Sequence, residues 1–300
     1  SPPQSNPPTA MGNGGTFLRL AFYTATARQP VPRSFARRMS SIEQFEVAQV
    51  PCLSDNYGYL IHCPTTGETA AVDTPCAKSY ESELAKRGWT LTHILNTHHH
   101  WDHTGGNAEL KSDGVKVYGP AKDGGEIPRL DVPLKHEDKV SFGGDEADVI
   151  DVGGHTVGHI AFHFPNQKKA FVGDSLFALG CGRMFEGTPE QFWESLQRLR
   201  ALPDDTEIFC AHEYTASNAK YAMSVEPNNP KLVARVKEIT DKRSRGEPTV
   251  PSLLAEEKET NPFLRGDISE EIQKNVGAST GEDGASIFFK VRKGKDNFRG

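Results

Sequence analysis

The chain is short of cysteine, and its cysteines are not arranged in pairs. Five of them are spread over 300 residues without a CxxC motif, at Cys52, Cys63, Cys76, Cys181 and Cys210. An odd number of widely spaced cysteines does not form a disulfide framework. The pattern excludes a disulfide-stapled secreted domain and indicates a reducing compartment.

Long apolar runs and a surplus of basic charge are also missing. The longest apolar stretches, such as 17–27 and 160–164, contain Arg or His and fall short of the roughly 18 residues that cross a bilayer. We therefore expect no membrane partner. The chain has 34 Lys and Arg against 40 Asp and Glu. Because no basic excess is available to bind phosphate backbones, we expect no nucleic-acid partner.

Acidic residues are absent from residues 1–42, whereas five arginines are present there, at Arg19, Arg28, Arg33, Arg37 and Arg38. Arginine among Ser, Thr and Pro, without acidic side chains, is typical of a mitochondrial transit peptide. We therefore interpret residues 1–42 as a presequence and predict a location in the mitochondrial matrix, with a further cytosolic form if translation starts at Met39. The alternative is a disordered extension that carries no address.

From residue 43 onward, short apolar runs alternate with helical patterns, which predicts a mixed α/β domain over 43–216. Helical patterns span 77–87 and 188–202, and Thr188 can cap the second helix with Gln191 completing a capping box. Beyond this domain helical patterns dominate, which predicts a smaller, mostly helical domain over 217–300. The strand-like runs cover 45–50, 57–63, 69–72, 92–95, 115–118 and 147–152.

The segment THHHWDH at 97–103 holds four histidines and one aspartate directly after a strand-like run. These are more ligands than one metal ion takes from so short a loop, so the segment predicts two ions. Because side chains alternate along an extended chain, His98 and His100 would share one ion. Asp102 and His103 would turn to the other, and His99 would face away. A solvated polar loop is the alternative, but this spacing is far more specific than a lone histidine.

Three further candidate ligands each follow an apolar strand-like run, namely His155, Asp174 and His212. His155 would complete a three-histidine site with His98 and His100, and His212 would complete the second site. Asp174 would bridge the two ions, because a carboxylate has two oxygens.

In order along the chain, these motifs resemble those of the metallo-β-lactamase superfamily. The resemblance implies an αββα fold, in which two sheets pack between helices, but does not by itself identify the substrate. More local segments resemble glyoxalase II, the family of hydroxyacylglutathione hydrolases, and the similarity extends over 45–298. These segments are 173–188, 211–215, 225–227, 248–252, 261–265 and 291–298.

This resemblance implies a thioester hydrolase that converts S-D-lactoylglutathione and related S-2-hydroxyacylglutathiones to D-lactate and glutathione. A hydroxide bridging two metal ions would attack the thioester, with Asp102 and Asp174 as catalytic carboxylates. Zinc is favoured, and iron or manganese would also suit histidine and carboxylate ligands. We expect a monomer whose partner is this small-molecule substrate. By position, five residues match the family's glutathione contacts: Arg183, Phe185 (commonly Tyr in the family), Tyr214, Arg292 and Lys295.

Other functions are compatible with parts of the pattern. The nearest alternative is a mononuclear iron persulfide dioxygenase of the same superfamily, which acts on a glutathione derivative and would bind one ion through two histidines and one carboxylate. A metal-dependent nuclease is disfavoured by the acidic body of the chain. A scaffold protein with a degenerate site is disfavoured by the seven intact ligand candidates.

Overall fold

The computed structural model describes residues 44–300. The presequence predicted over 1–42 lies outside these residues. Within the described part of the chain, no helix is both long and apolar enough to span a bilayer.

The first sheet has six strands, which lie side by side in sequence order. They are β1 Glu46–Cys52, β2 Asn56–His62, β3 Thr69–Val72, β4 His93–Leu95, β5 Lys116–Pro120 and β6 Val132–Leu134. The first three strands pair antiparallel, whereas β3 to β6 run parallel to one another. The parallel pairing needs crossover connections, and a helix supplies the one between β3 and β4.

The second sheet also has six strands, formed mainly from the middle of the chain. They are β7 Lys139–Phe142, β8 Asp145–Asp151, β9 Ile160–Phe164, β10 Lys169–Gly173, β13 Glu207–Cys210 and β14 Ser252–Leu253. Their order is β14-β13-β10-β9-β8-β7, with only β10 and β13 parallel. Between β10 and β13 the chain forms a separate hairpin of β11 Leu176–Phe177 and β12 Gly180–Cys181.

The described helices concentrate in the last third of the chain. They are α1 Ala77–Arg87, α2 Trp101–Thr104, α3 Asn107–Leu110, α4 Pro189–Arg200, α5 Thr215–Val225, α6 Pro230–Ser244, α7 Leu254–Thr260, α8 Pro262–Arg265, α9 Glu270–Asn275 and α10 Gly284–Asn297.

The two sheets pack face to face through an aromatic core. Tyr59 of β2 lies edge-on against Phe171 of β10 and Phe209 of β13, with ring centroids 5.6 and 5.3 Å apart. Edge contacts of this kind between buried rings stabilise cores beyond their buried area.

Helices cover the outer faces of both sheets. Side chains alternate along a strand, so Leu60 points away from the aromatic core, and it packs in one buried cluster with Tyr80 of α1. Beside the second sheet, Phe192 of α4 and Phe288 of α10 are buried with their ring centroids 5.3 Å apart. This helix–sheet–sheet–helix order confirms the predicted αββα fold.

The start of α4 partly follows the prediction. Thr188 caps the helix, because its hydroxyl accepts a hydrogen bond from the Gln191 backbone N–H at 3.2 Å. The Gln191 side chain does not close a capping box as predicted; it donates instead to the carbonyl of Val157 at 3.3 Å. Gln191 therefore ties the start of α4 to the loop after β8.

Parallel pairing brings the ends of several strands to one edge of each sheet. Because β3 and β4 are parallel, Asp73 and the histidine-rich loop follow them at the same edge. Because β10 and β13 are parallel, Asp174 and His212 also follow at a shared edge. A β-bridge between Asn56 and His212 joins the two edges. The loops that carry the candidate ligands therefore face one another, as is usual for sites at the carboxyl ends of strands.

Candidate dinuclear metal site

His98, His100 and His155 form one cluster. The Nδ1 of His100 lies 3.1 Å from the Nε2 of His98 and 3.0 Å from the Nε2 of His155. The first two histidines come from the loop after β4 and the third from the loop after β8. Their ligand atoms all lie within 4.8 Å of one another, a spacing that one metal ion can bridge.

Asp102, His103 and His212 form a second cluster with the same spacing. The short helix α2 begins directly after His100 and carries Asp102 and His103, whose ligand atoms lie beside that of His212. The Oδ2 of Asp102 lies 3.6 Å from the Nε2 of both His103 and His212.

Asp174 lies between the two clusters, with one oxygen toward each. Its Oδ1 is 3.5 Å from the Nε2 of His103 and 3.4 Å from the Nε2 of His212. Its Oδ2 is 3.4 Å from the Nε2 of His155. The structure therefore brings together the seven residues that the sequence analysis selected as metal ligands.

Carboxylate and carbonyl groups behind the histidines fix the direction of their rings. His103 donates through Nδ1 to Asp73 at 2.9 Å, and His212 donates through Nδ1 to Asp55 at 2.8 Å. His155 donates in the same way to the carbonyl of Arg183 at 2.7 Å. Each bond turns the Nε2 atom toward the centre of the site, which is the usual arrangement around metal-binding histidines.

Unpaired buried atoms show that a cation fits between these residues. Within the part of the chain that the structure describes, the Nε2 of His103 and the Oδ1 of Asp174 are buried without a hydrogen-bond partner. Buried polar atoms are nearly always paired. Imidazole and carboxylate donors suit divalent metal ions, and ions in the two clusters would satisfy both atoms.

The protonation of the first cluster also suits a metal ion. Burial lowers the pKa of His98 well below its usual range, lowers that of His100 to about 4, and lowers that of His155. These three histidines are therefore neutral at pH 7. Neutral imidazole is the form that binds a metal.

The second cluster has the opposite electrostatics. Burial alone would lower the pKa of His212, but Asp174, Asp55 and Asp102 together outweigh it and raise the pKa to about 9. The pKa of His103 is also raised, because Asp174 and Asp73 outweigh its burial. In turn, His212 and His103 overcome the effect of burial on Asp174 and hold its pKa well below the usual range. At pH 7 His212 is therefore protonated, so a proton occupies a position where a cation is favoured, and a bound metal would displace it.

His99 belongs to neither of the two clusters, although one of its ring nitrogens lies within 4.8 Å of ligand atoms of His100 and Glu186. Its Nδ1 lies 2.9 Å from Asp123, and its Nε2 lies 3.3 Å from Glu186 and 3.5 Å from Glu126. His99 therefore links the histidine-rich loop to two neighbouring loops.

A cleft of about 590 Å³ opens over the two clusters. Phe185 is 61% exposed, and its ring lies 5.2 Å from that of His155. Tyr214 stacks on His212 with the ring planes 5° apart and the centroids at 4.7 Å. The five residues matched to the family's glutathione contacts all line this cleft: Arg183, Phe185, Tyr214, Arg292 and Lys295.

Two of these five residues make hydrogen bonds to other residues of the chain. Arg292 is buried and donates to the carbonyl of Cys181 at 2.8 Å and to Asp296 at 3.0 Å. Lys295 donates to the backbone carbonyl and the hydroxyl of Ser217 at 2.9 and 2.8 Å. Burial, together with the nearby charges of Arg292 and Arg183, lowers the pKa of Lys295 to about 8.

The sequence analysis did not identify the residues that orient the ligands. Asp73 directly follows β3, where a carboxylate at a strand end was a usable signal. Asp55 lies in the turn between β1 and β2, and Asn56 donates to Asp102 Oδ2 at 3.0 Å from the start of β2. His159 accepts a hydrogen bond from the backbone N–H of Asp174 at 3.1 Å. These roles depend on contacts between distant segments that no local motif reveals.

Comparison with known proteins agrees with this geometry. Residues 55–212 match the model of the metallo-beta-lactamase superfamily, the class that the fold and the site define. Residues 213–298 match the model described as hydroxyacylglutathione hydrolase C-terminus. The chain belongs to the hydroxyacylglutathione hydrolase family of that superfamily.

Curated relatives are similar over nearly their whole length. The hydroxyacylglutathione hydrolase of Erythrobacter litoralis is 54% identical to this chain, and that of Hyphomonas neptunium is 53% identical. Each alignment covers 84% of this chain, together with 99% of the first relative and 98% of the second. Among solved structures, the BLEG-1 B3 metallo-beta-lactamase has a TM-score of 0.57 at 20% identity, over 74% of this chain and 100% of that one. ETHE1 from Myxococcus xanthus also has a TM-score of 0.57, at 25% identity, over 83% of this chain and 98% of that one. These two structures share the fold.

The predicted mitochondrial location is wrong. The relatives described above come from bacteria, which have no mitochondria. The arginine-rich composition of residues 1–42 therefore does not establish that address, and those residues lie outside the described part of the chain.

Proposed function

We propose that this chain hydrolyses the thioester of S-D-lactoylglutathione and related S-2-hydroxyacylglutathiones, releasing D-lactate and glutathione. The observation that carries the proposal is the position of Asp174, whose two oxygens face two separate three-ligand clusters at 3.4–3.5 Å. This arrangement favours a dinuclear hydrolase over the mononuclear dioxygenase of the same superfamily.

In this proposal, each cluster would hold one divalent ion, and Asp174 would be a ligand available to both. Zinc suits the histidine-rich donor set, and iron or manganese are the alternatives. When bound, such ions lower the pKa of a water molecule toward 7 and polarise a carbonyl oxygen. Asp102, whose Oδ2 accepts a hydrogen bond from Asn56 at 3.0 Å, would orient the water.

The cleft supplies the charges that a glutathione conjugate requires. Glutathione carries two carboxylates, and Arg183 and Lys295 at the cleft wall can pair with them. Arg292 donates a hydrogen bond to Asp296 and would shape that wall. It could bind a substrate carboxylate if that carboxylate replaced Asp296 as its acceptor.

No protein nucleophile is needed for this reaction. Among the described residues that line the cleft, the one cysteine is Cys181, and burial raises the pKa of its thiol to about 11. A thiol in that state is a poor nucleophile at neutral pH.

We further propose that residues 43–216 form the catalytic domain and residues 217–300 a helical domain that completes the glutathione site. Tyr214 precedes that boundary, whereas Arg292 and Lys295 lie on α10 beyond it. Because one chain supplies all of the proposed site, we propose that the protein acts as a monomer on its small-molecule substrate.

The direct test is to measure thiol release from S-D-lactoylglutathione and to count metal ions in the same sample. We expect turnover with about two ions per chain. Oxygen consumption with glutathione persulfide, one iron per chain and no thioester turnover would contradict the proposal and support the dioxygenase.

A hydroxyl restored at position 185 should tighten substrate binding. Phe185 is exposed at the cleft, so tyrosine fits there without disturbing the core. One added hydrogen bond contributes about 0.5–1.5 kcal/mol, so Phe185→Tyr should lower KM by about 2- to 10-fold with kcat little changed. Steady-state kinetics with S-D-lactoylglutathione measures this. Phe289→Tyr, on an exposed part of α10 outside the cleft, is the control; a raised KM for Phe185→Tyr would contradict the prediction.

A further inference from the structure

The β11–β12 hairpin connects the two parts of the proposed metal site. It begins two residues after Asp174, and it leads directly into Gly182 and Arg183. The carbonyl of Arg183 accepts the hydrogen bond from the Nδ1 of His155 at 2.7 Å. Gly182 packs so closely against the Asp174 carbonyl that any larger side chain would collide with it. A shift of this hairpin would therefore move Asp174 and reorient His155 together.

Side chains from the C-terminal helices hold the backbone of this hairpin. The Nδ2 of Asn261, between α7 and α8, donates to the carbonyls of Phe177 and Gly180 at 3.1 and 3.0 Å. The Oε2 of Glu257 in α7 accepts the backbone N–H of Leu179 at 2.9 Å. Asn261 therefore binds the end of one hairpin strand and the start of the other.

These contacts are buried and specific. Asn261 and Glu257 are both fully buried, and the Nδ2 of Asn261 also donates to Glu257 at 3.0 Å. Arg235 pairs with the other oxygen of Glu257. Leu179 has a φ of 56°, a left-handed conformation that is unusual for a leucine and persists only where the surroundings impose it. The hairpin thus takes its shape from the helices around it.

We infer that Asn261 is a positioning residue for the metal site: from the C-terminal helices, it holds the hairpin that carries Asp174 at its start and the Arg183 carbonyl at its end. The inference rests on the proposed function, because it assumes that Asp174 and His155 bind metal. It assigns the helical domain an effect on metal binding in addition to its contribution to the glutathione site.

The chain offers a matched control for this residue. Asn261 and Asn229 each precede a proline at a helix start, and each caps its helix: Asn261 Oδ1 accepts from Phe263 N at 3.0 Å, and Asn229 Oδ1 accepts from Lys231 N at 3.1 Å. The Nδ2 of Asn229 donates to Glu226 and to a carbonyl in α7, both at 2.9 Å, and not to the hairpin. Asn→Asp at either position keeps the cap, removes the amide donor and adds one negative charge beside a glutamate, so the two variants make the same chemical change.

The test compares Asn261→Asp with Asn229→Asp in the full-length, metal-loaded protein. Metal affinity is measured by chelator competition, stability by thermal unfolding, and kcat and KM by steady-state assay. Partners behind metal ligands typically contribute about 10- to 100-fold to affinity or activity. We expect Asn261→Asp to weaken metal binding by at least about 10-fold and to lower kcat, whereas Asn229→Asp lowers the melting temperature and leaves metal affinity unchanged.

Two results would overturn the inference: wild-type metal affinity in folded Asn261→Asp, or equal weakening in both variants. If Asn261→Asp does not fold, Asn218→Ala replaces it, because Asn218 holds the same hairpin through the carbonyl of Ala178 at 3.1 Å. Unchanged metal affinity in Asn218→Ala would then contradict the inference. The affinity comparison uses no substrate, so its failure is distinct from an absence of thioester hydrolysis in the unsubstituted protein, which would contradict the proposed function.

Discussion

Asp174→Asn is expected to remove most of the bound metal and most of the hydrolase activity together. Asparagine keeps the volume of the side chain but loses its negative charge and one of the two oxygens that face the two clusters. Residues behind the ligands contribute about 10- to 100-fold to metal affinity or activity. A residue that faces both clusters should contribute more, so we expect kcat/KM to fall by more than about 100-fold.

The measurement combines metal analysis with kinetics on the same preparation. Asp205→Asn is the matched control, because it makes the same chemical change at a 58% exposed carboxylate that pairs with Lys168 at the surface. This control should retain full activity and metal. If Asp174→Asn retained both ions and full turnover, the bridging role would be refuted.

Removal of metal with a chelator should abolish turnover and lower the melting temperature, and added zinc should restore both. A ligand present at about 1,000 times its dissociation constant stabilises the folded state by about 4 kcal/mol. For a chain of this size, that corresponds to roughly 10 °C. The loss of stability has a local cause. Without metal, the buried Nε2 of His103 and Oδ1 of Asp174 have no hydrogen-bond partner within the described residues.

The appropriate control is the same chelator already saturated with zinc, which should change neither quantity. Calorimetry or circular dichroism follows the unfolding, and thiol release follows the activity. Full turnover in protein shown to be free of metal would exclude a metal-dependent hydrolase, although the family membership would stand.

Local signals were sufficient to predict much of the fold. The pattern for α1 gave its bounds at Ala77 and Arg87, because the helix ends at Gly88, whose φ of 68° is the left-handed conformation favoured at helix ends. Helix α10 was not predicted, since Gly284 and Gly294 lower its helix propensity. Tertiary contact explains one of them: Gly294 leaves room for the hydroxyl of Tyr221.

The candidate site was predictable to the extent that each ligand follows a strand. Seven side chains could be selected because clustered His and Asp at strand ends are rare by chance. Their orienting partners were not selected: Asp55 lies in a turn, where carboxylates are common, and the strand-end position of Asp73 was a signal that the sequence analysis did not use. The packing of the two sheets places Asp55 against His212, and the parallel pairing of β3 and β4 places Asp73 against His103.

The buried thiol of Cys181 has a consequence for redox chemistry. It lies 3% exposed in the wall of a cleft that we propose releases glutathione, with its pKa raised to about 11. Thiol–disulfide exchange proceeds through the thiolate, which is scarce at that pKa. A mixed disulfide between Cys181 and glutathione is therefore disfavoured in the cleft. We accordingly expect turnover to be insensitive to the ratio of oxidised to reduced glutathione.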